Sequence, residues 1–275
     1  MMANFNYSVT FPCYNSVEYT KRLLESMKLI GDDLSRVVAV DNNSHDETLE
    51  YLKKAGIGKV IANKRNLGFG TALTQGILEM QSEWTIVMNN DLIVSENWID
   101  NLIQSAIDND LKVICPALLE GDYDYDLNSK SNQCSLLMDG YVRMGDSHAV
   151  CIAIHESVWH EVGYFRPTPA LFGYEDALFF NELKKNNFDI GVTSSTFLHH
   201  FGSVTQNAMR LEMGLDPSDD LSPNKNDLLL CQSWFRRKYD KIHKKNIRKR
   251  SAKFEIAKYG NTVRGYRKNG KFLWW

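Results

Sequence analysis

Four times in the first 95 residues a short apolar run ends on polar residues and gives way to a segment whose apolar positions recur every three or four residues. Tyr7-Ser8-Val9-Thr10-Phe11 predicts a first strand, stopped by Pro12, and a helix over about 17–27 follows it. Val37-Val38-Ala39-Val40-Asp41 is almost continuously apolar, as a strand buried on both faces must be, and Asn42-Asn43-Ser44-His45-Asp46-Glu47 leads from it into a second helix. Lys59-Val60-Ile61-Ala62 is the third strand, with a glycine-containing loop over 63–70 and a helix through Ala72, Ile77 and Met80. The fourth run, from Trp84 to Met88, delivers Asn89-Asn90-Asp91 to its end, and a helix begins near Glu96 and continues through Ile99, Leu102 and Ile103.

This alternation predicts an α/β fold with a mostly parallel central sheet flanked by helices. Ligands of such sheets lie just beyond the carboxyl ends of the strands, where Asp41 and Asp91 stand. Val113-Ile114-Cys115-Pro116-Ala117 is a fifth strand. Between Glu120 and Ser147 the periodicity breaks, which reads as a long functional or disordered loop. Strand character returns at 149–154 and in two short strands at 190–192 and 195–198, with helices near 157–162 and 175–186. Trp84, Trp98 and Trp159 fall at patterned positions that suit a core. The expected organisation is an α/β part over 1–118, a second part over 119–205, a mobile loop and connecting helix over 206–235, and a basic segment over 236–275.

Composition narrows the class. Apolar residues make up 43% of 275, enough to fill a large core. Five scattered cysteines without a Cys-x-x-Cys pair suggest reduced thiols rather than a disulfide framework or zinc site. No run of eighteen apolar residues and no basic-then-apolar leader occurs, so neither a membrane span nor a signal peptide is expected, and a cytoplasmic location follows. The net charge of −2 is unevenly placed: residues 236–275 hold 15 Lys and Arg against Asp240 and Glu255, leaving the first 235 residues with 17 basic and 32 acidic side chains. A polyanionic partner for that basic segment is the expectation.

Six stretches, in order, resemble family 2 glycosyltransferases of the GT-A fold, in the rhamnosyltransferase-like branch. They are Phe11-Pro12-Cys13-Tyr14-Asn15, Val40-Asp41-Asn42-Asn43-Ser44-His45-Asp46, Asn66-Leu67-Gly68-Phe69-Gly70, Met88-Asn89-Asn90-Asp91, Val162-Gly163-Tyr164-Phe165 with Phe172-Gly173-Tyr174-Glu175-Asp176, and His199-His200-Phe201-Gly202-Ser203. The resemblance implies a nucleoside diphosphate sugar as donor, with uridine the favoured base, and Mn²⁺ or Mg²⁺ to neutralise the diphosphate as it leaves. It implies that 1–205 is the catalytic domain, with 1–118 its nucleotide-binding part and 119–205 its acceptor part, and that Asp91 holds the metal, joined by His199 or His200. Pro12, Tyr14, Asn15 and Asp41 would receive the nucleotide, and Arg65, Asn66, Gly68, Asn89 and Asn90 would contact the donor. Asn89 stands where the family often has a second carboxylate and brings no charge. Glu175 or Asp176 would remove the acceptor's proton, with Asp176 favoured; an inverting transfer needs one such base opposite the leaving group. Thr74 stands where the family has an asparagine, whose role is not carried over.

The acceptor is the open question. Basic residues interleaved with aromatics in 236–275 suit an anionic membrane surface bearing a lipid-linked or lipopolysaccharide acceptor, and equally DNA carrying a hydroxylated base. The transferred sugar, hexose or pentose, and the oligomeric state are not legible. Two other classes stay open: a catalytically silent nucleotide-sugar binding module, which Asn89 would suit, and a sugar-phosphate nucleotidyltransferase, which the Pro12-Cys13-Tyr14-Asn15 loop disfavours because those enzymes carry a glycine-rich loop there.

Overall fold

A computed structural model describes residues 5–167, 175–202, 204, 209, 210, 212, 214 and 234–275. Phe172, Gly173, Tyr174 and Ser203 of the motifs lie outside these residues, as does Cys231 and nearly all of the loop expected over 206–235.

The four expected units form as read. Strands β1 (Tyr7–Cys13), β2 (Val37–Asp41), β3 (Lys59–Ala62) and β4 (Trp84–Met88) pair in the order β3-β2-β1-β4, all parallel. Helices α1 (Val17–Ile30), α2 (Thr48–Lys54), α3 (Phe69–Glu79) and α4 (Trp98–Asp108) alternate with them. α1 buries Thr20, Leu23, Leu24 and Met27, one stripe at helical spacing, and stops at Gly31, whose left-handed backbone lets its N–H reach back to the Lys28 carbonyl. One core packs α1 and α4 on one face of the sheet through Leu23, Met27, Trp98 and Leu102; a second, on the other face, gathers Leu73 and Ile77 of α3 with Phe165 and Phe179.

Beyond β4 the sheet becomes mixed. Short β5 (Leu92–Ile93) precedes α4, and β6 (Val113–Gly121), α5 (Leu127–Met138), β7 (Val142–Met144), β8 (Cys151–His155), α6 (Glu156–Val162), α7 (Glu175–Lys185) and β9 (Ile190–His200) follow it. β8 runs antiparallel between β4 and β6, and β6 runs parallel with β9. Thus 120–147 is not a structureless loop. Asp126 caps α5 by accepting from the Ser129 N–H at 2.7 Å, and the helix buries only Leu127, Ser131, Cys134 and Met138, too sparse a stripe to stand out in the sequence.

The two short strands expected at 190–192 and 195–198 are one. β9 carries a register shift opposite Pro116 and Ala117, and hydroxyls fill it: Ser105 Oγ donates to Thr193 Oγ1 at 2.7 Å, and Phe197 N–H donates to Ser131 Oγ at 3.0 Å. Polar residues at the bulge interrupt the apolar pattern without ending the strand.

The basic segment is not an appendage. A 26-residue helix α8 (Trp234–Tyr259) leads into a hairpin of β10 (Arg264–Lys268) and β11 (Lys271–Trp274), and β10 pairs parallel with β6 opposite residues 118–121. The hairpin therefore forms an edge of the central sheet. α8 is held by buried charge: Arg143 donates through Nε and Nη2 to the two carboxylate oxygens of Glu255, at 2.7 and 2.6 Å, while Asp146 meets Arg143 at 3.2 Å and Arg248 at 2.7 Å.

Candidate nucleotide-sugar site

The loops after β1 and β2 pin one another. Asn15 and Ser16 both have left-handed backbone, at φ 54° and 65°, a conformation uncommon outside glycine. Three bonds hold them there: Asn15 N–H donates to Ser44 Oγ at 2.8 Å, His45 N–H to Asn15 Oδ1 at 2.8 Å, and Val17 N–H to Asp46 Oδ2 at 3.0 Å. Pro12 and Cys13 lie beside Val40 and Asp41 in adjacent strands. Asp41 is 1% exposed; its Oδ2 accepts from the Ser44 N–H at 3.2 Å and its Oδ1 has no hydrogen-bond partner among the described residues. A buried carboxylate oxygen without a donor is costly, and a ligand N–H or O–H would satisfy it. Tyr14 Oη donates to Glu212 Oε2 at 2.6 Å and Asn15 Nδ2 also donates to this carboxylate, so two of the expected nucleotide contacts face one acceptor. Burial and the Glu212 carboxylate push the Tyr14 phenol up to about 12.

The loop after β3 is tied to the same floor. Asn42 Nδ2 donates to the Gly68 carbonyl at 3.2 Å, and Asn42 Oδ1 accepts from Asn63 Nδ2 at 2.9 Å. Asn66 Oδ1 accepts from the Gly68 N–H at 2.9 Å, and Arg65 is exposed. Gly68 has φ 84°, a glycine conformation. Gly70 is needed for approach: a Cβ there would lie 3.0 Å from Glu175 Cγ and 3.2 Å from the Arg166 carbonyl oxygen. The loop after β3 is thereby packed against Glu175 at the start of α7. Glu175 is buried, while Asp176 is half-buried with its Oδ1 accepting from the Ala177 N–H at 2.8 Å.

At the end of β4 the three polar residues part company. Asn89 is half-buried, its N–H bonded to the Val150 carbonyl at 2.8 Å. Asn90 turns into the protein, where its Nδ2 donates to Thr20 Oγ1 of α1 at 3.0 Å, so its side chain is spent on holding the helix. Asp91 is 3% exposed and its carbonyl accepts from the Phe201 N–H at 3.1 Å, placing it against the end of β9.

The histidine pair is split by strand alternation. His200 Nε2 stands 3.4 Å from Asp91 Oδ1, and its Nδ1 stands 2.9 Å from Glu120 Oε1. Burial lowers its pKa, but the two carboxylates outweigh burial and hold it at about 9. Glu120 in turn is held below the usual carboxylate range by the His200 bond. His199 instead bonds Tyr125 Oη through Nδ1 at 2.8 Å and packs among Tyr123, Tyr125 and Phe201; burial, and then the charge on His200, pull it down to about 4. Asp91 Oδ1 is buried and, apart from the ion-pair contact with His200 at 3.4 Å, meets no hydrogen-bond donor among the described residues. An oxygen and an imidazole nitrogen facing each other in this way fit a Mn²⁺- or Mg²⁺-sized ion. Among the described residues no three His, Cys, Asp or Glu side chains converge as a complete metal site. Two protein ligands with the rest drawn from phosphate oxygens and water is the usual arrangement for such ions.

Sequence reasoning missed Glu120, Asn42 and Glu212. Glu120 closes a strand whose neighbour is His200, a pairing invisible until β6 and β9 are aligned. Asn42 lies inside a motif but its partners are 21 to 26 residues away.

Parallel βα units with a ligand floor at the carboxyl ends, and an Asp and His meeting beside it, define a nucleotide-sugar fold of the GT-A type. The chain belongs to Glycosyl transferase family 2, which matches residues 8–170. It is 27% identical over 106 residues to Minor teichoic acid biosynthesis protein GgaB of Bacillus subtilis (strain 168), covering 36% of this chain and 12% of that protein. In structure it is similar to S. aureus TarS 1-349 in complex with UDP-GlcNAc, with TM-score 0.55, 19% identity, and 71% of this chain and 58% of that one covered. It is also similar to GalNAc-T7 with UDP, GalNAc and Mn²⁺, at TM-score 0.57, 18% identity, 72% and 44% covered. A third likeness is to mannosyltransferase PcManGT from Pyrobaculum calidifontis in complex with GDP-Man and Mn²⁺, at TM-score 0.57, 14% identity, 77% and 61% covered.

Proposed function

We propose that this chain transfers a sugar, with inversion, from a nucleoside diphosphate sugar to a hydroxyl of a polyanionic acceptor. The observation that carries the reading is the meeting of Asp91 and His200 at the strand ends; Asp41, at the end of β2 on the far side of β1, adds a buried carboxylate oxygen with no hydrogen-bond partner among the described residues. Asp41 would accept from the base or ribose, and Tyr14, Asn15 and the backbone beside Pro12 would form the rest of the nucleotide wall. Uridine remains the favoured base, supported by the UDP complexes of two structural neighbours. Asp91 and His200 would hold the divalent ion. When bound, that ion offsets the negative charge that grows on the diphosphate as the sugar leaves.

Asp176 would take the proton from the acceptor hydroxyl as the new bond forms. Its start-of-helix position leaves one carboxylate oxygen beyond the bond to Ala177, and the Gly70 contact sets the pair against the donor loop. Buried Glu175 would fix that arrangement, and Asn89 and Arg65 would meet the donor.

For the acceptor, α8 presents Lys241, Lys245, Lys249 and Lys253 as an exposed ladder at four-residue spacing, while Ala252 and Glu255 face the body. This supports an anionic polymer, and the teichoic acid relative supports a surface glycan over DNA. Among the described residues no helix is long and apolar enough to cross a membrane.

Turnover decides the matter. Incubation with UDP-sugars, Mn²⁺ and a panel of teichoic acid, lipid-linked glycan and hydroxymethylated DNA should release UDP and label one acceptor, with release abolished in Asp91→Ala and Asp176→Asn. Nucleotide binding without any turnover would make the chain a silent binding module, and labelled DNA would overturn the surface-glycan reading.

A further inference from the structure

The proposal rests on the reading of Asp91 and His200 as metal ligands and concerns what makes His200 fit for that task. A metal-ligating imidazole almost always donates from its other nitrogen, and the partner of that second nitrogen fixes both tautomer and ring angle. In this chain that partner is Glu120. Its Oε1 lies 2.9 Å from His200 Nδ1, on the side of the ring away from Asp91, and Nε2 lies 3.4 Å from Asp91 Oδ1. Two adjacent ligands of an octahedral ion with bonds of about 2.1 Å are separated by roughly 3 Å, so the 3.4 Å gap between Nε2 and Oδ1 would close on such an ion by a movement of a few tenths of an ångström.

The backbone leaves Glu120 little freedom. It pairs with His200 in the parallel β6–β9 ladder and with Tyr266 of β10 on its other edge. A residue locked on both sides, with one carboxylate oxygen on the imidazole, can transmit orientation rather than merely fill space.

We propose that Glu120 is a positioning residue for the metal site: its carboxylate keeps the proton on His200 Nδ1, so that the cation takes the place of the Nε2 proton beside Asp91 and that proton is released. Glu120 does not itself touch the ion or the donor. A carboxylate is required because it can only accept from Nδ1–H, whereas an amide can turn its NH₂ toward the ring and select the opposite tautomer.

The test is Mn²⁺ binding, read from the free-ion EPR signal in the presence of UDP, for the wild-type chain, Glu120→Gln, Glu120→Ala, His200→Ala and the Glu120→Ala/His200→Ala double variant. Thermal unfolding by circular dichroism checks that each is folded; Glu120→Gln serves should Glu120→Ala fail. Removing such a partner is expected to weaken Mn²⁺ about 10- to 100-fold, with the amide intermediate. In the double variant the loss should equal that of His200→Ala alone, because Glu120 acts only through that ring. Wild-type affinity in both Glu120 variants, or losses that multiply in the double variant, would overturn the proposal. Failure of the wild-type chain to bind Mn²⁺ even with UDP would instead overturn the metal reading beneath it, and this proposal with it.

Discussion

Arg143 and Glu255, separated by 112 positions, form a two-bond ion pair in which the side chains are 1% and 0% exposed. Glu255 Oε2 also accepts from the Val263 N–H at 3.1 Å, where the chain turns toward β10. This pair fastens α8 and the hairpin behind it to the catalytic body. A buried ion pair is seldom a large net source of stability, but removing one partner leaves the other charged and dry. Arg143→Ala or Glu255→Ala should therefore lower unfolding free energy by about 3 to 5 kcal/mol, seen as a lower urea midpoint. Replacing both by apolar residues of similar volume should recover much of the loss. Removal of residues 236–275 should cost folding itself, since it takes a strand from the edge of β6.

Gly70 sits between the loop after β3, proposed to meet the donor, and Glu175. A methyl group at this position would crowd Glu175 Cγ at 3.0 Å and the Arg166 carbonyl at 3.2 Å, and the latter cannot swing aside. Gly70→Ala is expected to raise the donor KM and lower kcat, each about tenfold, for a displacement of a few tenths of an ångström at the site. Stability should change by less than about 1 kcal/mol, because alanine favours a helix. Unchanged kinetics would mean that the donor loop and α7 are not coupled.

The lysine ladder on α8 should matter to the acceptor and not to the donor. Changing Lys241, Lys245, Lys249 and Lys253 to alanine is expected to raise the acceptor KM at least tenfold at low salt, with the difference shrinking as ionic strength rises and screening shortens. The donor KM should hold. A salt-independent loss would point to packing rather than charge.

Asp32 provides a pH-dependent marker distant from the site chemistry. Burial pushes its carboxyl up to about 6, opposed by the Trp98 Nε1–H bond at 2.8 Å and reinforced by Asp100. The folded state thus holds this proton more tightly than the unfolded chain does. The ionised group disfavours folding, and its contribution falls as pH rises from about 4 through about 6. Asp32→Asn should be more stable than wild type at pH 7, by on the order of 1 kcal/mol given its partial exposure, and the advantage should shrink by pH 4.5. Paired urea melts at the two pH values check this; an equal difference at both would exclude Asp32 as the cause.

Much of the fold follows from local pattern. The four βα units, their parallel order, the buried Trp84, Trp98 and Trp159, and the carboxylates at strand ends are legible because a period of two or of 3.6 residues, closed by Asn, Asp or Gly, is written within ten or fifteen positions. The chain by itself determined the family, the end of the sheet at which a ligand would sit, and the uneven placing of charge. Tertiary structure alone decided three things. It turned Asn90 onto Thr20 of α1 and Asp91 onto His200 of β9, because a strand end can face either way until its neighbours are set. It separated His199 from His200, since adjacent residues of one strand face opposite sides and only the pairing of β9 with β6 chooses which side holds Glu120. It made a basic segment into the edge of the sheet, because Arg143 and Glu255 find each other only across a fold that brings residues 112 apart to within 2.6 Å.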